Sequence, residues 1–162
     1  MTSFSFSHRI DDSELAILRE FTCEPPVKVG ALASALGLRV VLATLPMNIS
    51  GLIEPDKDGF VVKINRFESK ERQRFTIAHE IAHYLIHRDR INAGIFDSVL
   101  YRSKLSSRME AEANRLAADI VMPIQAVTAA MSKRSSKLDD DGISELAEIF
   151  GVSKQAMTIR VG

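Results

Sequence analysis

Arg74-Phe75-Thr76-Ile77-Ala78-His79-Glu80-Ile81-Ala82-His83-Tyr84-Leu85-Ile86-His87 is the stretch that decides how this chain folds. Phe75, Ala78, Ala82 and Leu85 recur at helical spacing, with Ile81 and Ile86 widening the stripe, which predicts a helix over 70–88 laid against a core. His79 and His83 are four residues apart, so on a helix they stand one turn apart on the same face. Two imidazoles so placed can both reach one ion at about 2.0–2.1 Å. Glu80 follows the first histidine and points beside the ion, where it can take a proton from water that the ion acidifies. This is the zinc-peptidase reading of His-Glu-x-x-His. The pattern alone arises by chance in on the order of one chain in 200. Its helical context therefore matters: two histidines and a glutamate held against a core without a metal would each need a hydrogen-bond partner.

A catalytic zinc site needs a third protein ligand and one open position. Asp89 lies six residues beyond the second histidine, but Ile86 stands where such sites usually place glycine, which demotes it. The next helical segment, 107–121, offers Glu110 and Glu112. Glu112 shares a row with Arg108, Arg115 and Asp119, spaced by three or four with alternating sign, and reads as a solvated face laced with ion pairs. Glu110 sits with Asn114 and Ala117 beside the apolar stripe of Met109, Ala113, Leu116 and Ile120, and is the expected third ligand. Asn114 is expected to accept the free N–H of a ligand histidine. His87 continues the histidine row and is expected in a supporting role behind the ligands. Tyr84 lies on another face and reads as packing.

Working outward, Asp11-Asp12-Ser13 opens a capped helix that stops before Pro25-Pro26. Val27 to Leu36 is a short helix ended by Gly37. Arg39 to Leu45 is a strand, followed by a hairpin of 50–54 and 60–65 around a turn at Pro55-Asp56-Lys57-Asp58-Gly59. The strand 60–65 reads equally as a sheet edge able to hold an extended peptide or as a buried strand. Asp89 to Ser106 reads as a long surface loop. Pro123 suits the first turn of a helix to about Met131, and the polar 132–142 reads as a linker or exposed loop. Two short helices around Gly151 close the chain.

With 162 residues, 46% of them hydrophobic and 26% charged, the sequence has ordinary globular usage. Twenty-one basic residues balance 21 acidic ones, so no global field favours nucleic acid or an anionic membrane. Cys23 is the single cysteine, which excludes a cysteine-rich zinc site and an internal disulfide. Residues 1–9 have no apolar signal-peptide core, and no apolar run approaches the roughly 20 residues of a spanning helix. The expectation is a cytoplasmic protein that engages no membrane.

The quoted helix resembles the signature helix of the ImmA/IrrE family of metallopeptidases. Glu110-Ala111-Glu112-Ala113-Asn114-Arg115-Leu116-Ala117-Ala118, followed by Met122-Pro123, is similar to that family's second motif. Leu146 to Ser153 and Pro26 to Leu36 fit as well, while Leu116 replaces a frequent phenylalanine and residues 1–25 match no motif. The resemblance implies a gluzincin-like Zn²⁺ site of His79, His83 and Glu110, with Glu80 as base. It also implies a protein substrate, a helix-turn-helix repressor whose cleavage releases gene expression.

The expected architecture is α+β: a helical metallopeptidase domain with a small antiparallel sheet, the zinc site between two helices, and a short C-terminal helix pair. Residues 1–25 form an N-terminal extension with one helix, 26–134 the core, and 135–162 a linker and a helix-turn-helix-like pair packed on it. That pair also suggests an alternative: a DNA-binding or protein-binding regulator without peptidase activity. Its second helix offers only Lys154 and Arg160, near Asp139 to Asp141, Glu145 and Glu148, so direct DNA binding is not expected.

Overall fold

The computed structural model of the chain describes residues 3–92, 107–134 and 137–162. In order come α1 (Asp12–Phe21), α2 (Val29–Ala35), β1 (Leu38–Ala43), β2 (Gly51–Asp56), β3 (Gly59–Asn65), α3 (Lys70–Ile86), α4 (Arg88–Asn92), α5 (Ser107–Val121), α6 (Ile124–Ser132), α7 (Asp140–Phe150) and α8 (Lys154–Val161). The class is α+β, as the alternation of helical and strand-like periods implies.

The sheet has the order β1-β3-β2 and is mixed, not purely antiparallel: β2 pairs antiparallel with β3, and β1 pairs parallel with it. The run from Phe60 to Ile64 occupies the centre, paired with β1 on one side and β2 on the other. Val61, Val62 and Ile64 are at most 3% exposed. A central strand has both backbone edges paired, so the sheet-edge reading of 60–65 is corrected. The hairpin turn is also tighter than expected. Asp56 pairs with Gly59, leaving Lys57-Asp58 as the loop, and Pro55 lies within β2 opposite Phe60. Proline is tolerated there because β2 is an edge strand.

Helix α3 lies on this sheet. Its start is capped by Ser69, whose hydroxyl accepts from the Arg72 amide at 3.2 Å. A Cβ on Gly51 of β2 would fall 2.5 Å from Thr76 Cγ2 and 2.9 Å from the Lys63 carbonyl, so strand and helix meet at a distance only glycine allows. Ala78, Ile81 and Ala82 are fully buried and Leu85 nearly so. Helix α5 packs across α3 through Ala113, Leu116, Ala117 and Ile120, all fully buried, which places Leu116 in the core.

Past α3 the expected surface loop begins instead as α4, and residues 93–106 of that expectation lie outside the described residues. Pro123 stands just before α6. The acidic run read as linker is a helix start: Asp139 caps α7, accepting from the Gly142 amide at 2.8 Å, and Asp140 and Asp141 fill the first turn. Carboxylates are favoured there by the free amides and the helix dipole. Asp11 precedes α1 without a side-chain capping bond.

One apolar cluster runs from Phe4 and Leu18 through Leu32, Val62, Ile81 and Leu116 to Phe150 and Met157. Both ends of the chain therefore share the core of α3 and α5. The N-terminal turn is held tightly enough that Phe6 adopts a left-handed φ of 61°, at a cost on the order of 1 kcal/mol. The Ser5 amide donates to Asp119 Oδ2 at 2.7 Å. Among the described residues no helix is long and apolar enough to cross a membrane.

Candidate metal centre

His79 and His83 both project from the buried face of α3, with imidazoles perpendicular and centroids 4.6 Å apart. Their Nε2 atoms lie 3.1 Å from each other. Glu110, in the first turn of α5, reaches across: Oε1 is 2.9 Å from His83 Nε2 and Oε2 is 3.3 Å from His79 Nε2. One donor atom from each of the three residues falls within 4.8 Å of the others. A tetrahedral ion with ligands at about 2.0–2.1 Å has donor–donor edges of about 3.3 Å. Edges of 2.9–3.3 Å therefore enclose a space of the right size for a small divalent cation. The donor set, two imidazoles and a carboxylate, is one such a cation takes.

The arrangement is open on one side. His83 is fully buried, whereas the Glu110 side chain is 30% exposed, so solvent reaches the cluster on the carboxylate side. Burial alone would raise the Glu110 pKa. Close contact with the His79 and His83 rings outweighs it and holds the carboxyl well below the usual range, so Glu110 stands as a carboxylate. Glu80, next to His79 on α3, is fully buried at the same level of the helix.

The sequence expectation for Asn114 is corrected. Asn114 is exposed, and the ring contacts described for His79 and His83 are with each other, Glu110 and His87. The far nitrogen of His83 instead meets His87: the two Nδ1 atoms are 2.9 Å apart. His87 Nε2 lies 2.9 Å from Glu112 Oε1. Glu112 is consequently not on a solvated face. Its side chain is 13% exposed and also accepts from Arg9 Nη1 at 3.0 Å, with Arg108 3.6 Å away. The bonds from His87 and Arg9 hold its pKa down against partial burial. Burial lowers the pKa of His87, with Glu112 pulling the other way, so His87 favours the neutral ring.

Asp119, placed in the same solvated row, is 7% exposed and accepts from Ser5 and from Arg160. A helical wheel shows only near neighbours, and these partners lie elsewhere in the chain. Tyr84 packs as expected, edge-on to Phe60 and beneath the Arg88 guanidinium, whose Cζ is 3.9 Å from its ring centre.

A separate cleft of about 740 Å³ lies between the start of α3 and the C-terminal pair, lined by Ser69, Arg72, Phe75, Val152, Lys154 and Ile159. It contains none of the three converging side chains. The basic residues of α8 are already engaged: Arg160 donates to the Met122 carbonyl at 2.9 Å and to Asp119 at 3.0 Å, and Lys154 pairs with Asp140.

Residues 33–161 match the family model described as the IrrE N-terminal-like domain, peptidase family M78. Over 75 residues the chain is 33% identical to "Metallopeptidase ImmA" of Bacillus subtilis (strain 168), spanning 45% of this chain and 41% of that protein. A "Mycobacterium tuberculosis transcriptional regulator" shares the fold, with a TM-score of 0.61 and 21% identity over 95% of this chain and 48% of that one. The chain thus spans less than half the length of either relative.

Proposed function

Because the chain belongs to the family of the IrrE N-terminal-like metallopeptidase domain, we propose that it is a zinc-dependent endopeptidase whose substrate is a helix-turn-helix transcriptional repressor. The observation that carries the enzymatic part is the convergence of His79, His83 and Glu110 within 4.8 Å, open on the Glu110 side. In this reading the three residues hold the ion, and the open side admits an extended peptide.

A zinc ion held there would polarise the peptide carbonyl and make water more acidic. Glu80 accepts the proton from the attacking water and passes it to the leaving amine. Its burial beside His79 keeps bulk water from competing for that proton. His79 and His83 bind as neutral rings, and the Glu110 carboxylate offsets part of the ion's charge. The repressor substrate draws its support from the resemblance of the two linked motifs. In this reading the protein acts in the cytoplasm on a protein partner, without direct contact with DNA. A DNA-binding regulator is disfavoured because Arg160 and Lys154 are both tied to acidic or carbonyl oxygens of this chain.

Incubation with zinc and the helix-turn-helix protein encoded beside this one tests the proposal. The native chain cleaves it, and Glu80→Gln keeps the fold and the metal but does not, because an amide cannot accept the proton. Cleavage by Glu80→Gln at a near-native rate would contradict the mechanism.

A further inference from the structure

With an ion on His83 Nε2, the direction of the hydrogen bonds behind it follows from both ends of the series Arg9, Glu112, His87, His83. Arg9 has only donors, and its guanidinium reaches Glu112 Oε2 at 3.0 Å through Nη1 and the Ile86 carbonyl at 3.1 Å through Nη2. Glu112, paired with that cation, is ionised and can only accept. The His87 nitrogen 2.9 Å from Glu112 Oε1 is Nε2, so Nε2 carries the His87 proton. From the other end, a His83 that ligates through Nε2 keeps its proton on Nδ1 and can donate it only if His87 Nδ1, 2.9 Å away, is bare. The two ends agree: His87 holds its proton toward Glu112, and His83 holds its proton on Nδ1 with Nε2 turned toward His79 and Glu110. That is the tautomer in which Nε2 can ligate a metal.

We infer that Arg9, Glu112 and His87 form a positioning relay that fixes His83 in its ligating tautomer, so that the N-terminal segment is a working part of the metal centre. The inference rests on the reading of His79, His83 and Glu110 as metal ligands. Arg9 lies outside residues 33–161, the part of the chain that the family description covers. The segment is seated for this role. Ser5 is bonded to Asp119 on α5, and Arg9 bridges α5 to the last turn of α3. Glu14 on α1 holds Arg88 just beyond α3 at 2.6 Å.

Two measurements on the full-length chain test the relay. In zinc-loaded protein with ¹⁵N-labelled histidine, the ring signals should show His87 protonated at Nε2 and His83 at Nδ1; His87 protonated at Nδ1 would overturn the inference. By chelator competition, Glu112→Ala should bind zinc about 10–100-fold more weakly. Arg9→Gln, at an exposed position outside the core, should weaken binding severalfold. Glu112→Gln should retain most of the affinity, because its amide oxygen can still accept from His87. A purely structural clasp would lower the unfolding midpoint of the metal-free variants and leave zinc affinity and histidine tautomers unchanged, and that result would overturn the relay. A native chain that binds no zinc would remove the ligand reading as well. Native-like affinity in both Glu112→Ala and Arg9→Gln would remove the relay alone.

Discussion

Arg74 of α3 donates through Nε to the Gly151 carbonyl at 3.1 Å and through Nη2 to the Phe150 carbonyl at 3.3 Å. The helix that carries the histidines thereby closes the end of α7, where two carbonyls would otherwise lack partners. Gly151 has a left-handed φ of 66°, and a Cβ there would lie 2.7 Å from Arg74 Nε. The turn between the C-terminal helices is thus shaped around one side chain of the metal-bearing helix.

Arg74→Met keeps most of the aliphatic packing and removes the bonds. It should destabilise the fold by about 1.5–3 kcal/mol, the range for hydrogen bonds to a charged group. Urea unfolding measures this. A loss below about 0.5 kcal/mol would mean that the C-terminal pair is held by its apolar face alone.

Gly51→Ala tests how α3 sits on the sheet. The added methyl meets Thr76 Cγ2 and the Lys63 carbonyl, and the carbonyl belongs to a paired strand that cannot yield easily. A loss of about 1–3 kcal/mol is expected from this overpacking. Gly30→Ala, where nothing lies within 4 Å of the new Cβ, is the control and should be neutral or mildly stabilising. Equal effects at the two positions would contradict the packing described for β2 and α3.

The C-terminal pair should show no sequence-specific duplex binding near physiological salt. Specific binders neutralise several phosphates, which makes their affinity fall steeply with salt. Of the two basic residues on α8, Arg160 is 17% exposed and committed to Asp119 and Met122, and Lys154 pairs with Asp140. An anisotropy titration revealing tight, salt-sensitive binding to one operator would instead support a DNA-binding regulator.

Much of this architecture is legible in the sequence because its signals are local. The stripe of Ala78, Ile81, Ala82 and Leu85 predicts α3, and the apolar edge beside Glu110 distinguishes it from Glu112 as the carboxylate that meets His79 and His83. Gly37 and Gly151 mark turns that do require positive φ. What was missed depends on distant partners. The position of β3 between β1 and β2 is a property of pairing, which a strand's own residues do not encode. Glu112 looks like a surface ion-pair residue until Arg9, 103 residues away, and His87 close over it. Asn114 looked suited to the histidines by spacing alone, yet His87 on α3 already fills that position. The one available signal was His87 itself, one turn after His83.

Zinc titration of the native chain beside Glu110→Gln and Glu112→Gln tests the central claim most directly. The native chain should bind one ion, and the ion should raise its unfolding midpoint by linkage. Glu110→Gln should weaken binding by at least about 10–100-fold, since a direct ligand costs no less than a group behind one. Glu112→Gln, which keeps an oxygen toward His87, should change affinity little. The reverse order, or a native chain that binds no zinc, would contradict the assignment of His79, His83 and Glu110 as the metal centre.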